Sequence, residues 1–411
     1  MTADFYVLII FLLAAVYCIG ISVMYRWLLW PLVLAYLFRS FLFVLDYLAI
    51  FRPPGADTDA LRFTRMAFEW SLLSWPDLLS LNLLFNSLFY SWLGAIIMKL
   101  VGTSEHILPV MSFLFGFVVV ATTALIAYDL WGKRTATIVA LIMSLYPFAG
   151  FNSILAMREE VAIMFFILGL FFFLRWVGGK SIIGLLWGCM FFGMAVLFHP
   201  GWIGAFIGVG GYLAFFIYKT FKNKDMSKLS FQDAVKVLLS VAMLVMSVGM
   251  IGLSGGISLG KGVEIGGDEE SGIGEAIESR FEREATGGSA YPAFIAQGNP
   301  FTQPWLIPGR VIYFHFSPFP WDIRSPRHLL GMVSSVLYIF LAWRLYKGWG
   351  TIKNREECLA MLFIFGALTF IFAIGVTNIG TATRHKTKLL GIFVLLAASS
   401  FHTLSIKLRR A

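Results

Sequence analysis

Long uncharged runs constrain this chain more than any other feature. FYVLIIFLLAAVYCIGISVM (residues 5–24) and AIMFFILGLFFFL (162–174) are two examples, and similar runs recur along nearly the whole length. A helix needs roughly 20 apolar residues to cross a bilayer. Of the 411 residues, 59% are hydrophobic, and mean hydropathy is +0.80. A soluble domain cannot cover that much apolar surface. The sequence therefore predicts an all-α polytopic membrane protein. The first run lacks a basic segment before it and is followed at once by another, so it reads as a span and not as a cleaved signal.

Apolar runs lie near 5–25, 28–51, 78–101, 107–128, 135–150, 157–177, 181–198, 201–218, 236–258, 328–346, 357–377 and 388–405. One class of connecting loop is short and basic: 131–134, 175–180, 218–228, 344–355 and the tail 407–410. These loops belong on the cytoplasmic side. The other class (52–77, 150–158, 259–327, 378–387) is mixed in charge and rich in Gly, Pro and aromatics. Alternation from the basic tail backwards puts all of the second class outside. It leaves the run 78–101 with both ends outside. Asn82, Asn86, Ser87 and Ser91 interrupt that run, so it reads as an interfacial or re-entrant helix. The result is about 11 transmembrane helices; placing 52–77 in the cytoplasm would give 12. The chain divides into an N-terminal membrane module (1–258), one large outer loop (259–327) and C-terminal membrane helices (328–411). That loop opens glycine-rich and mobile, continues through a short helix in AIESRFEREATGGSA, and ends in an aromatic, proline-rich cap.

The net charge of +9 follows from the positive-inside bias and attraction to anionic lipid, so nucleic acid is not an expected partner. Cys18, Cys189 and Cys358 lie in or beside apolar runs and read as packing residues. Zinc spacing, a Walker loop and a dinucleotide fingerprint are all missing.

Ionisable groups at membrane level are costly, so each is a functional candidate. The stretch RPPGADTDALRFTR (52–65) holds Asp57 and Asp59, two residues apart, with Arg62 and Arg65 beyond. On an extended strand both carboxylates would face one cleft. One could take a proton from a hydroxyl, or the two could hold a divalent cation. Alternatively, Asp59 caps the helix that follows. Arg158, Glu159 and Glu160 open a very apolar helix, where acidic groups suit the dipole and the arginine fork suits phosphate. His199 precedes Pro200 between two spans, while Arg310 and His315 lie in the outer loop. TNIGTATRHKTK (377–388) collects Arg384, His385, Lys386 and Lys388 outside the membrane, against the basic-inside trend. A phosphate or diphosphate is the natural anion for such a cluster.

GADTD and the run from GTSEH to LAMREE (102–160) resemble GT-C-type membrane glycosyltransferases. GADTDALRFTR, the MREE helix, LFHPG (197–201), SPFPWDIRS and NIGTATRHK are similar to bacterial exopolysaccharide and O-antigen polymerases. The WWDYG-type motif of protein N-glycosylation is missing. The resemblance implies an inverting glycosyltransferase on the outer face of a bacterial inner membrane, with a polyprenyl-phosphate- or diphosphate-linked saccharide donor and a glycan or lipid acceptor. It implies no certain cofactor, a divalent cation being possible on Asp57 and Asp59. Asp59 or Asp57 would be the base. Arg158, Arg384, His385, Lys386, Arg62 and Arg65 would meet the donor phosphate, with Glu159, Glu160, His199, Arg310 and His315 as further candidates. Polymerisation of oligosaccharide units is the leading expectation. A monosaccharide transferase, a flippase for lipid-linked saccharides and a non-catalytic scaffold are the alternatives.

Overall fold

The computed structural model describes residues 3–403 apart from 82, 84, 85, 87, 224–233, 236, 239, 240, 242–288 and 325. The expected span 236–258 falls almost wholly outside the described residues. So do the glycine-rich stretch, most of the AIESRFEREATGGSA helix and the basic tail.

Helices α1 (Ala3–Met24) and α2 (Leu29–Tyr47) lead to a short layer of three helices. That layer holds α3 (Leu61–Ser71), α4 (Trp75–Ser80) and α5 (Phe89–Val101). Then come α6 (Ile107–Trp131), α7 (Lys133–Leu145), α8 (Pro147–Ile154), α9 (Arg158–Val177), α10 (Gly184–Phe198) and α11 (Ile203–Asn223). After the gap the chain resumes at Ser289 and passes through a short helical turn (Ala293–Ala296) into α12 (Leu306–Phe316), α13 (Pro326–Lys347), α14 (Glu356–Ile374) and α15 (Ile379–Ala397).

Among the described residues, seven helices are long and apolar enough to cross a membrane, and eight if the bent α7–α8 pair is one span. The other expected crossings fall on α10, which has only 15 residues, on α15, whose first turns carry charge, and on 236–258. Among the described residues of 78–101, only α5 is a helix of length, and its 13 residues rise about 20 Å, short of the bilayer core. It lies against α3, tied by Ser91 Oγ donating to Phe63 O at 3.0 Å and by Lys99 donating to Ser71 O and Leu73 O.

Helix α6 is the centre of the bundle, packed on α1, α7, α8 and α9. Some 72% of its span is buried, against 17% for α1, whose apolar face is left for lipid. Small residues let other helices approach closely. A Cβ on Gly208 of α11 would sit 2.3 Å from Ile364 Cα of α14, so only glycine fits there.

The break between α7 and α8 bends the path by 59°. Tyr146, ahead of Pro147, is driven out of the helical region (φ −67°, ψ 118°), and carbonyls of α7 lose their partners. Buried Arg39 of α2 supplies donors: Nη1 to Ser144 O at 2.9 Å and Nη2 to Met143 O at 3.2 Å. Its Nε reaches Ser153 Oγ at 3.1 Å, and Ser153 Oγ lies 3.1 Å from Glu160 Oε1.

The described parts of the two classes of loop sit at opposite ends of the bundle. At one end Asp129 lies between Arg175 (3.8 Å) and Lys180 (3.6 Å), and Arg355 donates to Leu130 O at 2.6 Å. The other end gathers residues 52–60, the starts of α9 and α15 and the end of α10.

Candidate functional site: a buried cluster of cations and carboxylates

Asp57 and Asp59 do not share a cleft. Gly55 is left-handed (φ 97°), and residues 56–60 form a π-type turn closed by Ala60 N–H donating to Gly55 O at 3.1 Å. In a helical turn, residues two apart do not face each other. Asp57 points outwards, its side chain 64% exposed, and accepts from Arg52 Nη2 at 2.9 Å and Nε at 3.1 Å. Asp59 points inwards, 26% exposed, and accepts from Arg384 Nη1 at 2.5 Å. The two carboxylates therefore do not converge on one divalent cation. No group of three metal-binding side chains occurs among the described residues. Nor does Asp59 cap α3, whose first turn has no side-chain cap.

Arg384 is the centre of the cluster. Asn378 caps α15 through Oδ1, which accepts from Gly380 N–H (2.9 Å) and Thr381 N–H (3.4 Å), and so sets the phase of the turns that follow. Arg384 and Lys388, four apart, share a face. Arg384 Nη2 donates to Glu159 Oε1 at 2.8 Å, and Lys388 Nζ lies 3.7 Å from the same oxygen. Lys388 is 0% and Glu159 3% exposed. Arg158 closes the cluster from the start of α9, donating to Phe198 O at 3.4 Å with its guanidinium 5.8 Å from the Phe63 ring. Three cations thus face two carboxylates. Arg384 Nε, Lys388 Nζ, His385 Nδ1 and Glu159 Oε2 are buried without a hydrogen-bond partner among the described residues.

His199 lies behind the cluster, its ring 5.7 Å from those of His385 and Phe372. Its Nδ1 accepts from Gly201 N–H at 3.2 Å, which assigns the proton to Nε2. Burial first, and then the Lys388 and Arg158 cations, hold this imidazole well below the usual histidine range, so it is neutral.

Other sequence candidates serve elsewhere. Lys386 faces away from Arg384 and donates to Ser317 O (2.6 Å) and His315 O (3.3 Å). Arg310 donates to Ile295 O (3.1 Å), Ala296 O (2.9 Å), Gly298 O (2.8 Å) and Ile374 O (2.7 Å). These two cations, with a bridge between Ala290 and Asn378, clip the segment 290–317 onto α14 and α15. His315 is buried against Thr369 (3.1 Å). Glu160 turns away from Glu159 towards Ser153 and Arg39. Arg65 pairs with Glu69 at 3.0 Å and, with Arg62, lines a separate groove. Arg39 escaped the sequence reading. Its signal was a lone arginine inside an apolar run.

No family model matches the chain, and no curated protein is similar to it. Two solved structures resemble it, both of ArnT from Cupriavidus metallidurans. The apo state aligns at TM-score 0.45 and 14% identity, covering 89% of this chain and 60% of that one. The form bound to undecaprenyl phosphate aligns at TM-score 0.42 and 13% identity, covering 88% and 61%. This chain thus spans about three fifths of the length of the ArnT chains. With both TM-scores below 0.5, the function of this chain has to be argued from its own residues.

Proposed function

We propose that the chain is a GT-C-type membrane glycosyltransferase that takes a polyprenyl-phosphate- or diphosphate-linked saccharide as donor. The observation that carries this reading is the surplus of buried cation donors around Arg384. Arg158, Arg384 and Lys388 against Asp59 and Glu159 leave one net positive charge, with Arg384 Nε and Lys388 Nζ still to be bonded. A phosphate oxygen completes both the charge and the hydrogen bonds. The cluster lies at one end of an apolar bundle.

The residues then divide the reaction between them. Asp59 takes the proton from the acceptor hydroxyl. The acceptor oxygen forms a bond to the anomeric carbon as the bond from that carbon to the phosphate oxygen breaks. The phosphate leaves with the electron pair, met by Arg384, Lys388 and Arg158. Glu159 holds Arg384 and Lys388 in register. The proton stays on Asp59 until solvent or the departing phosphate removes it. Since the basic loops occupy the opposite end, the site faces the outside of a bacterial inner membrane. Within this class we assign transfer of oligosaccharide repeat units, as in O-antigen or exopolysaccharide assembly, on the likeness of GADTDALRFTR, MREE and LFHPG to polymerases.

Mass spectrometry of lipid-linked glycans in cells with and without the gene tests the proposal. Single repeat units accumulating while polymer disappears supports polymerisation. Accumulated polyprenyl-monophosphate sugar with an under-decorated glycan supports monosaccharide transfer instead. Unchanged pools reject the glycosyltransferase reading.

A further inference from the structure

Arg158 stands at the head of a stripe of aromatic rings. Phe165 and Phe172 follow it on α9 at two-turn intervals, so all three lie on nearly the same face of the helix. Trp187, Phe191 and Phe198 share a face of α10 in the same way. The two helices run close together: a Cβ on Gly184 of α10 would sit 2.5 Å from Phe172 O of α9. Their rings therefore merge into one row. From the cation cluster downwards it runs Phe198, Phe165, Phe191, Phe172 and Trp187, with centroids 5.7, 6.1, 5.6 and 6.3 Å apart. The first three steps are stacked, with planes 19°, 21° and 15° apart. Along α10 the row covers about 16 Å. Phe165, Phe191 and Phe172 are half-buried and Trp187 is exposed, so the row opens outwards from the bundle.

We infer that this row is the track for the polyprenyl chain of the donor, an inference that rests on the phosphate site proposed above. The first ground is continuity. The upper end of the row touches the cluster, since Phe198 O accepts from Arg158 Nη1 at 3.4 Å. Phe89 of α5 packs on the same Phe198 ring at 5.4 Å and closes that end. A lipid whose phosphate meets Arg158 thus leads its chain onto the face that Arg158 heads.

The second ground is chemistry. A polyprenyl chain carries a double bond and a methyl branch in every unit, and rigid ring faces offer such a chain a continuous surface of dispersion contacts. Facing ordinary lipid needs no rings. Helix α1 does it with Leu8, Leu12, Val16, Ile19 and Val23, all aliphatic and all exposed. The aromatic row stands where the cation cluster stands, on α9 and α10.

Phe172→Ala combined with Trp187→Ala removes the far end of the row and leaves the cluster intact. Binding to the purified full chain is read by native mass spectrometry with two probes. One is undecaprenyl phosphate. The other is geranyl phosphate, the same head on a much shorter chain that ends before Trp187. The double variant should bind undecaprenyl phosphate about tenfold more weakly than the unaltered chain. It should bind geranyl phosphate within about twofold, which also reports an intact fold. Phe370→Ala, which removes an exposed ring on α14, should change neither. Unaltered undecaprenyl phosphate binding in the double variant overturns the inference and leaves the row to ordinary phospholipid. Equal weakening of both probes overturns it too, since the loss is then not one of chain contact. If the unaltered chain binds neither probe, the phosphate site itself has failed, and the inference falls with it.

Discussion

Arg384→Gln and Glu159→Gln test the electrostatic account of the site with opposite signs. The two side chains touch at 2.8 Å. Each substitution removes one charge; Glu159→Gln keeps the volume, while Arg384→Gln also shortens the side chain. Arg384→Gln takes the cluster from one net positive charge to none, and Glu159→Gln takes it to two. At an effective dielectric of about 20 and a separation of about 5 Å, a unit charge contributes roughly 3 kcal/mol to holding an anion. That corresponds to about a hundredfold in affinity. Undecaprenyl phosphate binding, measured by native mass spectrometry in detergent, should weaken by about that factor in Arg384→Gln. In Glu159→Gln it should tighten by about tenfold, part of the gain being lost because Arg384 is held less firmly. Arg384→Lys keeps the charge but not the fork and should fall between Arg384→Gln and the unaltered chain. Structural damage would weaken both Gln variants alike. Equal weakening in the two, or unaltered binding in Arg384→Gln, refutes the anion site.

Three further outcomes follow from the geometry. Asp59→Asn should lower product formation by about 10²–10⁴-fold while undecaprenyl phosphate binding is kept or tightened, since the cluster loses one of its two carboxylates. Asp57→Asn, whose carboxylate faces Arg52, should stay within severalfold, and equal losses in cell complementation would remove Asp59 from the role of base. Arg39→Met should lower the thermal denaturation midpoint, because it strips the α7 carbonyls of their donor and leaves Glu160 without its nearby positive charge, at a cost of about 3–5 kcal/mol. Adding Glu160→Gln should restore part of the loss. Cysteines replacing Ser80 and Lys353 should react with an impermeant maleimide from opposite sides of the membrane, Ser80 from outside; labelling of both from one side rejects the proposed topology.

The bundle was legible because burial in lipid writes itself into composition. The apolar runs mark α1, α2, α6, α9, α11, α13 and α14, and the basic loops mark one end. Loop alternation together with Asn82, Asn86, Ser87 and Ser91 demoted 78–101, where the described residues hold one helix of length, of 13 residues. The bend at Pro147 and the shortness of α10 were not legible in the same way. Both depend on how neighbouring helices satisfy freed carbonyls, as Arg39 does from more than a hundred residues away.

The site shows where single-letter reading stops. Asp59, Glu159 and Arg384 meet across 225 and 325 residues of chain. Loop alternation could gather them at one end of the bundle but could not set their facing. Facing depends on phase. Extended backbone would align Asp57 with Asp59, and the π-type turn parts them. On α15 the same helical phase that joins Arg384 to Lys388 turns Lys386 towards main-chain oxygens. Arg39, Arg310 and Lys386 donate to carbonyls and fasten segments together; Arg384 donates to carboxylates and, with Lys388, has hydrogen-bonding capacity to spare. A cation bound to carbonyls is a fastening whose removal loosens the fold. A cation bound to carboxylates, in a cluster with more cations than carboxylates, is a place for an anion. That difference separates Lys386 from Lys388, two residues apart in one helix, and it exists only once the fold has brought their partners in.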